Sequence, residues 1–469
     1  MPQTVNQWNS QHLMQWEKKP EQNILSNEQA LVPFGRDFGG LVHSQPAAVC
    51  EPQTREALQS LLKYAHEHQL PVTIRGNGMS QNGQSLAAPG GLILNMKHFN
   101  QAQEPEHHSI WMEANCTWAD LLKHSLPHSL TPYVLPYNCN LSIGGVLSAG
   151  GIGASSFKYG SVIAHVRELE VILANGELVH VDRHSPLMQA CLGGQGHFGV
   201  ITKARIALRT CKKSVRTFYL TYLDKESWLH DLHQCQNYAD YVESFCTPAI
   251  QGAKLIASER TPFAQWLYAL HVSIEYDHHA PEFHELSLKP WKVLHTQDET
   301  IHSYLHRHDA RLNIMKMSGQ WELEHPWYEC FIPKFPLNKL EEILDTLPVH
   351  YASLVHLIPI VNRKATGFLM LPEEPHIFSF MIINPGLPKV FTPSCVEAIK
   401  HLDTLFLPLG GKRYLSGYLG ESLKPDYWKN HYGARYSEWL ELKKQYDPLH
   451  ILSSYLFNKC SKIKEINLS

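Results

Sequence analysis

Three glycine-rich runs hold the residues best suited to chemistry. They are Arg75-Gly-Asn-Gly-Met-Ser-Gln-Asn-Gly-Gln84, Leu141-Ser-Ile-Gly-Gly145-Val-Leu-Ser148-Ala-Gly-Gly151-Ile-Gly153 and Leu192-Gly-Gly-Gln-Gly-His-Phe-Gly-Val-Ile-Thr202. Glycine tolerates positive φ and lets a ligand approach the main chain, so alternate glycines can turn successive N–H groups toward an anion. The chemistry on offer is capture of a phosphate or pyrophosphate, although such a loop taken alone is more often an ordinary tight turn. A Rossmann dinucleotide site needs GxGxxG opening a helix. After Arg75 the third glycine is misplaced, and the next apolar run, Gly91 to Met96, reads as a strand. The first loop therefore joins strand to strand, and Rossmann NAD binding is disfavoured.

Other chemistries find less support. There are thirty histidines, and His302 with His306 would share a helix face, but no HExxH and no third ligand accompany them, so no metal site is expected. The ten cysteines contain no CxxC pair, which fits reduced thiols better than a disulfide scaffold. Lys plus Arg total 41 against 44 Asp plus Glu without long runs, so nothing marks a nucleic-acid or anionic-membrane partner. The opening residues lack a basic n-region and an apolar h-region, and no stretch is apolar enough to span a bilayer. The expectation is a soluble, cytoplasmic protein.

The elements that must position the loops follow from periodicity. Leu58, Leu61, Leu62 and Ala65 recur at helical spacing behind Thr54, giving a helix over 54–69 that leads into a strand from Pro71 to Ile74. Thr117 caps a second helix to Leu126, with Asp120 reciprocating. Leu169 to Val181 alternates around Asn175-Gly176, a hairpin signal, and a short helix from Ser185-Pro186 stops at the third glycine run, which leads into a strand ending near Leu208. From Cys211 glycine becomes sparse and aromatics frequent, with a helical stretch Glu226–Tyr238 and a β-like run Leu267–Tyr276. The tail, Tyr427 to Tyr446, reads as one helix carrying Trp428, Tyr432, Tyr436, Trp439 and Leu442 on a face.

Taken in order, Asp37-Phe-Gly-Gly, the three glycine runs, Asp240-Tyr-Val-Glu243, His325-Pro-Trp327 and the end from Tyr427-Trp to Tyr446-Asp-Pro448 resemble flavin enzymes with the vanillyl-alcohol-oxidase (PCMH) type of FAD domain, and among them the cytokinin dehydrogenases. The resemblance implies an α+β two-domain flavoprotein: an FAD-binding domain over 30–210, a substrate-binding cap with an antiparallel sheet over 211–412, and a segment 413–469 completing the FAD domain. It implies cofactor contacts from Ile74, Arg75, Gly76, Asn77, Gly78, Met79, Ser80 and Gln84, from Ser142, Gly144, Gly145, Ser148, Gly151 and Ile201, and from Tyr414, Ser453 and Tyr455. Its partners would be a small-molecule substrate and an electron acceptor, oxygen or another; the oligomeric state stays open.

Two departures qualify what the resemblance implies. Cytokinin dehydrogenases carry a flavin-linked His where this chain has Met79, and a thioether cannot form that bond, so noncovalent FAD is expected. Cys139 lies near a loop that makes a cysteinyl link in some relatives, but its spacing is one residue short. Tyr137 stands where the family has the Asp that accepts a substrate proton; an unperturbed phenol titrates near 10 and is a poor base at neutral pH. Stacking or hydrogen bonding is ranked first for Tyr137, with Glu243 and Trp327 as a carboxylate and an aromatic wall from the cap. The activity expected is oxidation of an amine or alcohol C–H by hydride transfer to flavin N5. The alternatives are a sugar, lactone or alcohol oxidase on the same scaffold and a catalytically silent flavin-binding protein.

Overall fold

In the computed structural model, which describes residues 6–17, 19–362, 367–420 and 423–459, the periodicities become layers. Helix Arg55–Glu67 starts where Thr54 accepts the Ala57 N–H at 3.1 Å, and its stripe of Ala57, Leu58, Leu61, Leu62 and Ala65 is buried. The stripe packs on a four-stranded sheet ordered Ile24–Leu25, Ala48–Cys50, Leu92–Asn95, Val72–Arg75. Val72–Arg75 runs parallel to Leu92–Asn95, so the chain between them must cross over rather than make a hairpin. That crossover is the first glycine run, joining strand to strand as expected.

A second, antiparallel sheet is ordered Ser109–Glu113, Val200–Thr210, Val166–Ile172, Leu178–Asp182, with Leu130–Pro132 also on the long strand. The Asn175-Gly176 hairpin joins its last two members, with Gly176 at φ +86°. Helix Trp118–Ser125 opens with the Thr117–Asp120 capping box. The second glycine run is more ordered than a loop: Ile143–Ala149 is helical. Gly144 sits there because a Cβ would lie 2.9 Å from that of Ala114, so close helix–sheet packing outweighs the weak helix propensity of glycine.

The middle of the chain builds an eight-stranded antiparallel sheet ordered Lys292–Thr300, Ser214–Tyr222, Glu259–Tyr276, Tyr241–Ile256, Val355–Val361, His376–Ile382, Tyr328–Ile332, Lys412–Arg413. Side chains alternate between its faces. Phe218, Leu220, Val242, Cys246, Leu270 and Val272 join a core with helices Lys225–Gln234 and Thr392–Phe406. The opposite parity puts Tyr219, Glu243, Phe245, His271 and His356 on the other face, where Tyr241, Ile358 and Ile360 enter the core of the glycine-rich domain. The sheet and the glycine-rich domain thereby each supply one wall of the space between them.

The tail returns to that first domain. It forms two helices, Tyr427–Tyr432 and Tyr436–Tyr446, rather than the single expected one, because Gly433 at φ +53° breaks the run. Trp428, Tyr432 and Trp439 are buried as the stripe required. Beyond them, Ile451 accepts the Val72 N–H at 2.7 Å and Val72 accepts the Ser453 N–H at 3.0 Å, adding a short parallel bridge to the edge of the first sheet. A buried ion pair fixes this return. Lys443 Nζ donates to Asp447 Oδ2 at 2.5 Å and to the carbonyls of His197 and Leu452, both at 2.8 Å. All nine described cysteines are free, no group of three metal-ligating side chains occurs, and no helix is long and apolar enough to cross a membrane, among the described residues.

Candidate active site

The three glycine runs converge on one cleft of about 1090 Å³, open to solvent. Ile74 lines it from strand Val72–Arg75, Gly76, Asn77, Gly78, Met79, Ser80 and Gln84 from the first run, Ser142, Gly144, Gly145 and Ser148 from the second, and Ile201 and Tyr414 close it. Four residues in the expected set lie outside the lining. Arg75 turns away and donates to the carbonyls of Arg36, Ser85 and Pro33, bracing the loop from behind. Gly151 donates its N–H to the Tyr414 hydroxyl at 2.9 Å. Ser453 is tied to Thr73 and Asn458, and the Tyr455 ring rests on Gly83. Sequence reasoning missed Gln195 within the third run, and Ser85, Met96, Ala114, Leu415 and Ser416, which join the lining from outside the three runs.

Why the first run holds its shape is visible in its bonds. Gly78 and Ser80 accept on their carbonyls the N–H groups of Phe38 and Gly39, at 3.0 and 3.1 Å. Asp37 Oδ2 accepts from Ser80 Oγ at 3.1 Å and from the Gly83 N–H at 2.8 Å. Burial pushes the Asp37 carboxyl up to about 6, against those two hydrogen bonds. Asn77 Nδ2 reaches the Asn140 carbonyl at 2.8 Å, and Gln84 Nε2 donates to the Leu415 carbonyl. Among the described residues, none of the five N–H groups from Gly76 to Ser80 donates to another protein group.

That donor set fits an anionic dinucleotide. Gly78 takes φ +68°, and a Cβ on Gly76 would collide with Ser142 Oγ, so at these two positions the lining is bare backbone by necessity. Gln195 Nε2, also on the lining, is buried without a partner, a donor that a polar ligand would satisfy. Met79 places a thioether in the cleft; Cys139 lies outside it, buried, its thiol 3.5 Å from the Leu305 carbonyl and pushed up to about 12 by burial and the Asp309 charge.

A second, smaller cavity lies where the cap meets the first domain, lined by Leu135, Pro136, Tyr137, Ala154, Ser155, Tyr241, Leu305, Arg307 and His308. Its walls at 135–137 and 154–155 flank helix Ile143–Ala149, whose residues line the large cleft. Tyr137 keeps part of its ring exposed, but its hydroxyl is shielded and unpartnered. Burial, reinforced by the Glu243 charge and only partly offset by Arg307, raises this phenol well above its ordinary value. A phenol raised in this way keeps its proton, so its shielded hydroxyl presents a hydrogen-bond donor at the cavity wall. Its ring meets His308 edge-to-face at 5.0 Å.

Glu243 is fully committed. Oε2 accepts from Arg307 Nε at 3.0 Å and Oε1 lies 2.8 Å from His308 Nε2. Burial works to raise this carboxyl, but the charges and hydrogen bonds of Arg307 and His308 outweigh it and hold Glu243 well below the usual range. Nothing in the local sequence announces these partners, which come from a segment 64 and 65 residues downstream. Trp327 lines neither cavity. Its Nε1 donates to the Asn384 carbonyl at 2.7 Å, and its ring meets Phe38 edge-to-face at 5.3 Å, in an aromatic knot where Phe38 stacks on His325 at 4.0 Å. His302 and His306 have ring centroids 4.7 Å apart, but His306 is bonded to Asp309 and no third ligand joins them among the described residues.

Comparison with known proteins agrees with this architecture. Residues 46–182 match the FAD binding domain family and residues 223–455 match the family described as cytokinin dehydrogenase 1, FAD and cytokinin binding. An uncharacterised oxidoreductase of the fasciation locus of Rhodococcoides fascians is 27% identical over 442 residues, 90% of this chain and 96% of the relative. Cytokinin dehydrogenase 6 of Oryza sativa subsp. japonica is 28% identical, covering 89% and 88% of the two chains. Cytokinin dehydrogenase 3 of Arabidopsis thaliana is 27% identical, covering 92% and 89%. Fold, cleft and matches together define a two-domain FAD-dependent oxidoreductase. The chain belongs to the FAD-linked oxidoreductases with a PCMH-type FAD domain, and within them it is similar to the cytokinin dehydrogenases.

Proposed function

We propose that this protein binds FAD noncovalently in the glycine-lined cleft and oxidises a small organic amine or alcohol at the C–H beside its nitrogen or oxygen. The observation carrying the proposal is the glycine-rich stretch of the cleft lining, with five N–H groups from Gly76 to Ser80 unengaged among the described residues and a thioether at Met79. FAD, when bound, supplies the two-electron acceptor. The main chain of Gly76, Asn77, Gly78 and Ser80, with Gln84, holds its pyrophosphate; Ser142, Gly144, Gly145, Ser148 and Ile201 line the remainder, and Tyr414 closes the site. Arg75, Gly151, Ser453 and Tyr455 act one step back, by holding the loops and the returning tail in place. In this reading 30–210 and 413–469 form the FAD domain and 211–412 the cap, a division supported by the bridge between Val72 and Leu452. Substrate enters between flavin and cap against the shielded hydroxyl of Tyr137 and the charged group around Glu243. The Oryza and Arabidopsis relatives are cytokinin dehydrogenases by name, so adenine-type amines are the first probes, with sugars and alcohols as the contrast. The proposed compartment is the cytoplasm, where the nine free cysteines among the described residues would stay reduced.

Acid precipitation of the purified yellow protein tests the cofactor reading: colour is expected in the supernatant. Colour retained in the pellet would show a covalent link, and a colourless protein that FAD cannot reconstitute would refute the reading altogether. Anaerobic mixing then tests the reaction, with bleaching of the flavin by an amine or alcohol as the expected result.

A further inference from the structure

Tyr137 leaves a gap in the chemistry. Removing a hydride from a C–H beside N–H or O–H also requires something to take the proton, and a buried phenol raised above its ordinary value does not. The carboxylates bonded to the cavity's walls are already engaged. Glu243 has both oxygens bound, and Glu275, behind Tyr241, accepts from that phenol, from Arg209 and from the Lys212 N–H. Arg307 is likewise occupied, by Glu243, by the Tyr304 carbonyl at 3.0 Å and by the Tyr304 ring at 4.1 Å.

His308 is differently placed. It lines the cavity beside Tyr137, its side chain is 25% exposed, and Nε2 faces the Glu243 carboxylate at 2.8 Å. A carboxylate on one ring nitrogen fixes the proton there and leaves the lone pair on the other. In the neutral ring with its proton on Nε2, Nδ1 is the nitrogen that bears the lone pair. The groups set against this imidazole are Glu243 from strand Tyr241–Ile256, His271 from Glu259–Tyr276, His356 from Val355–Val361, and Tyr137 from the first domain; Arg307 shares Glu243 with it, and Arg311 acts on His356. Asp309 is engaged by His306, so Glu243 is the carboxylate left to balance a proton gained by His308.

We infer that His308, oriented by Glu243, is the proton acceptor of the oxidation, receiving the substrate N–H or O–H proton on Nδ1. The inference rests on the oxidoreductase reading above. In the balanced step the substrate carbon gives up hydrogen with its electron pair to the bound FAD, the neighbouring nitrogen or oxygen gives up a proton to Nδ1, and a C=N or C=O bond forms. Glu243 is a positioning residue, holding the tautomer and stabilising the imidazolium.

Two measurements on the FAD-bound protein test this. Long-range ¹H–¹⁵N correlation with ¹⁵N-histidine, His308 assigned by its loss in H308Q, should show the Nε2–H tautomer; an Nδ1–H tautomer would overturn the proposal. Flavin reduction by the best substrate should fall roughly 100-fold or more in H308Q with the visible flavin spectrum unchanged. The acid limb of the native kcat/KM profile should vanish with it, and E243Q should displace that limb. Near-native reduction by flavin-loaded H308Q would refute the assignment. If no amine or alcohol bleaches the native flavin, the oxidoreductase reading fails instead, and the tautomer still decides the geometry of the pair.

Discussion

At the scale of single residues, Met79 and Gly76 carry opposite lessons. Met79 puts a thioether where the resembled family has a flavin-linked imidazole, in a cleft lined by main chain, by polar side chains and by apolar ones such as Ile74, Val146 and Ile201. Met79→His is expected to move the yellow colour from supernatant to pellet after acid precipitation, because a ring nitrogen returns to the position. Gly76 has no room to vary. Since any Cβ there would run into Ser142 Oγ, Gly76→Ala should weaken FAD binding at least about tenfold, roughly 1.4 kcal/mol, by titration of the apoprotein. Both residues were legible in sequence because the loop that contains them is local. His308 and Arg307 were not. Their importance comes from Glu243, which meets them only through tertiary packing, and a His in a polar stretch has no local mark to separate it from a solvated one.

At the scale of elements, periodicity and caps were legible and glycine was ambiguous. The Thr117–Asp120 box was readable because it is a four-residue pattern, and Thr117→Ala should cost about 1 kcal/mol in denaturant unfolding. Gly144-Gly145 pointed to a loop, yet it lies in a helix, since the close approach of Ala114 favours a missing side chain more than helix propensity penalises it. In the tail the apolar stripe was correct and the break at Gly433 was not foreseen, because stripe and turn call for the same aromatic residues on both sides. Lys443 is buried, and nothing in its helical surroundings marks it off from a solvated lysine. Lys443→Met would leave Asp447 charged and without its cation, a loss of about 3–5 kcal/mol by thermal or denaturant unfolding.

At the scale of the whole molecule, charge and chain path matter most. Burial pushes Glu329 up to about 7, against its bond from Ser416 and the Arg413 charge. A carboxyl raised in the folded state holds its proton where the unfolded chain has lost it. Stability therefore declines as pH rises from the ordinary carboxylate range through about 7, and the penalty is complete above that. Glu329→Gln should remove this slope and be more stable than the native chain at pH 8, by about 3 kcal/mol, with little gain at pH 4.5. Glu243 has the opposite sign: held low, it contributes stability at neutral pH that is lost as pH falls through its folded value. The chain path has a consequence for biosynthesis. Val72 lies beside Ile451 and Ser453, and Lys443 secures that return through His197. While a ribosome is still making the cap, the edge of the first sheet waits for a neighbour not yet translated. Until the tail emerges the nascent domain lacks both that neighbour and the Tyr414–Ser416 part of the cleft lining, so complete cofactor capture is expected only after the tail is translated.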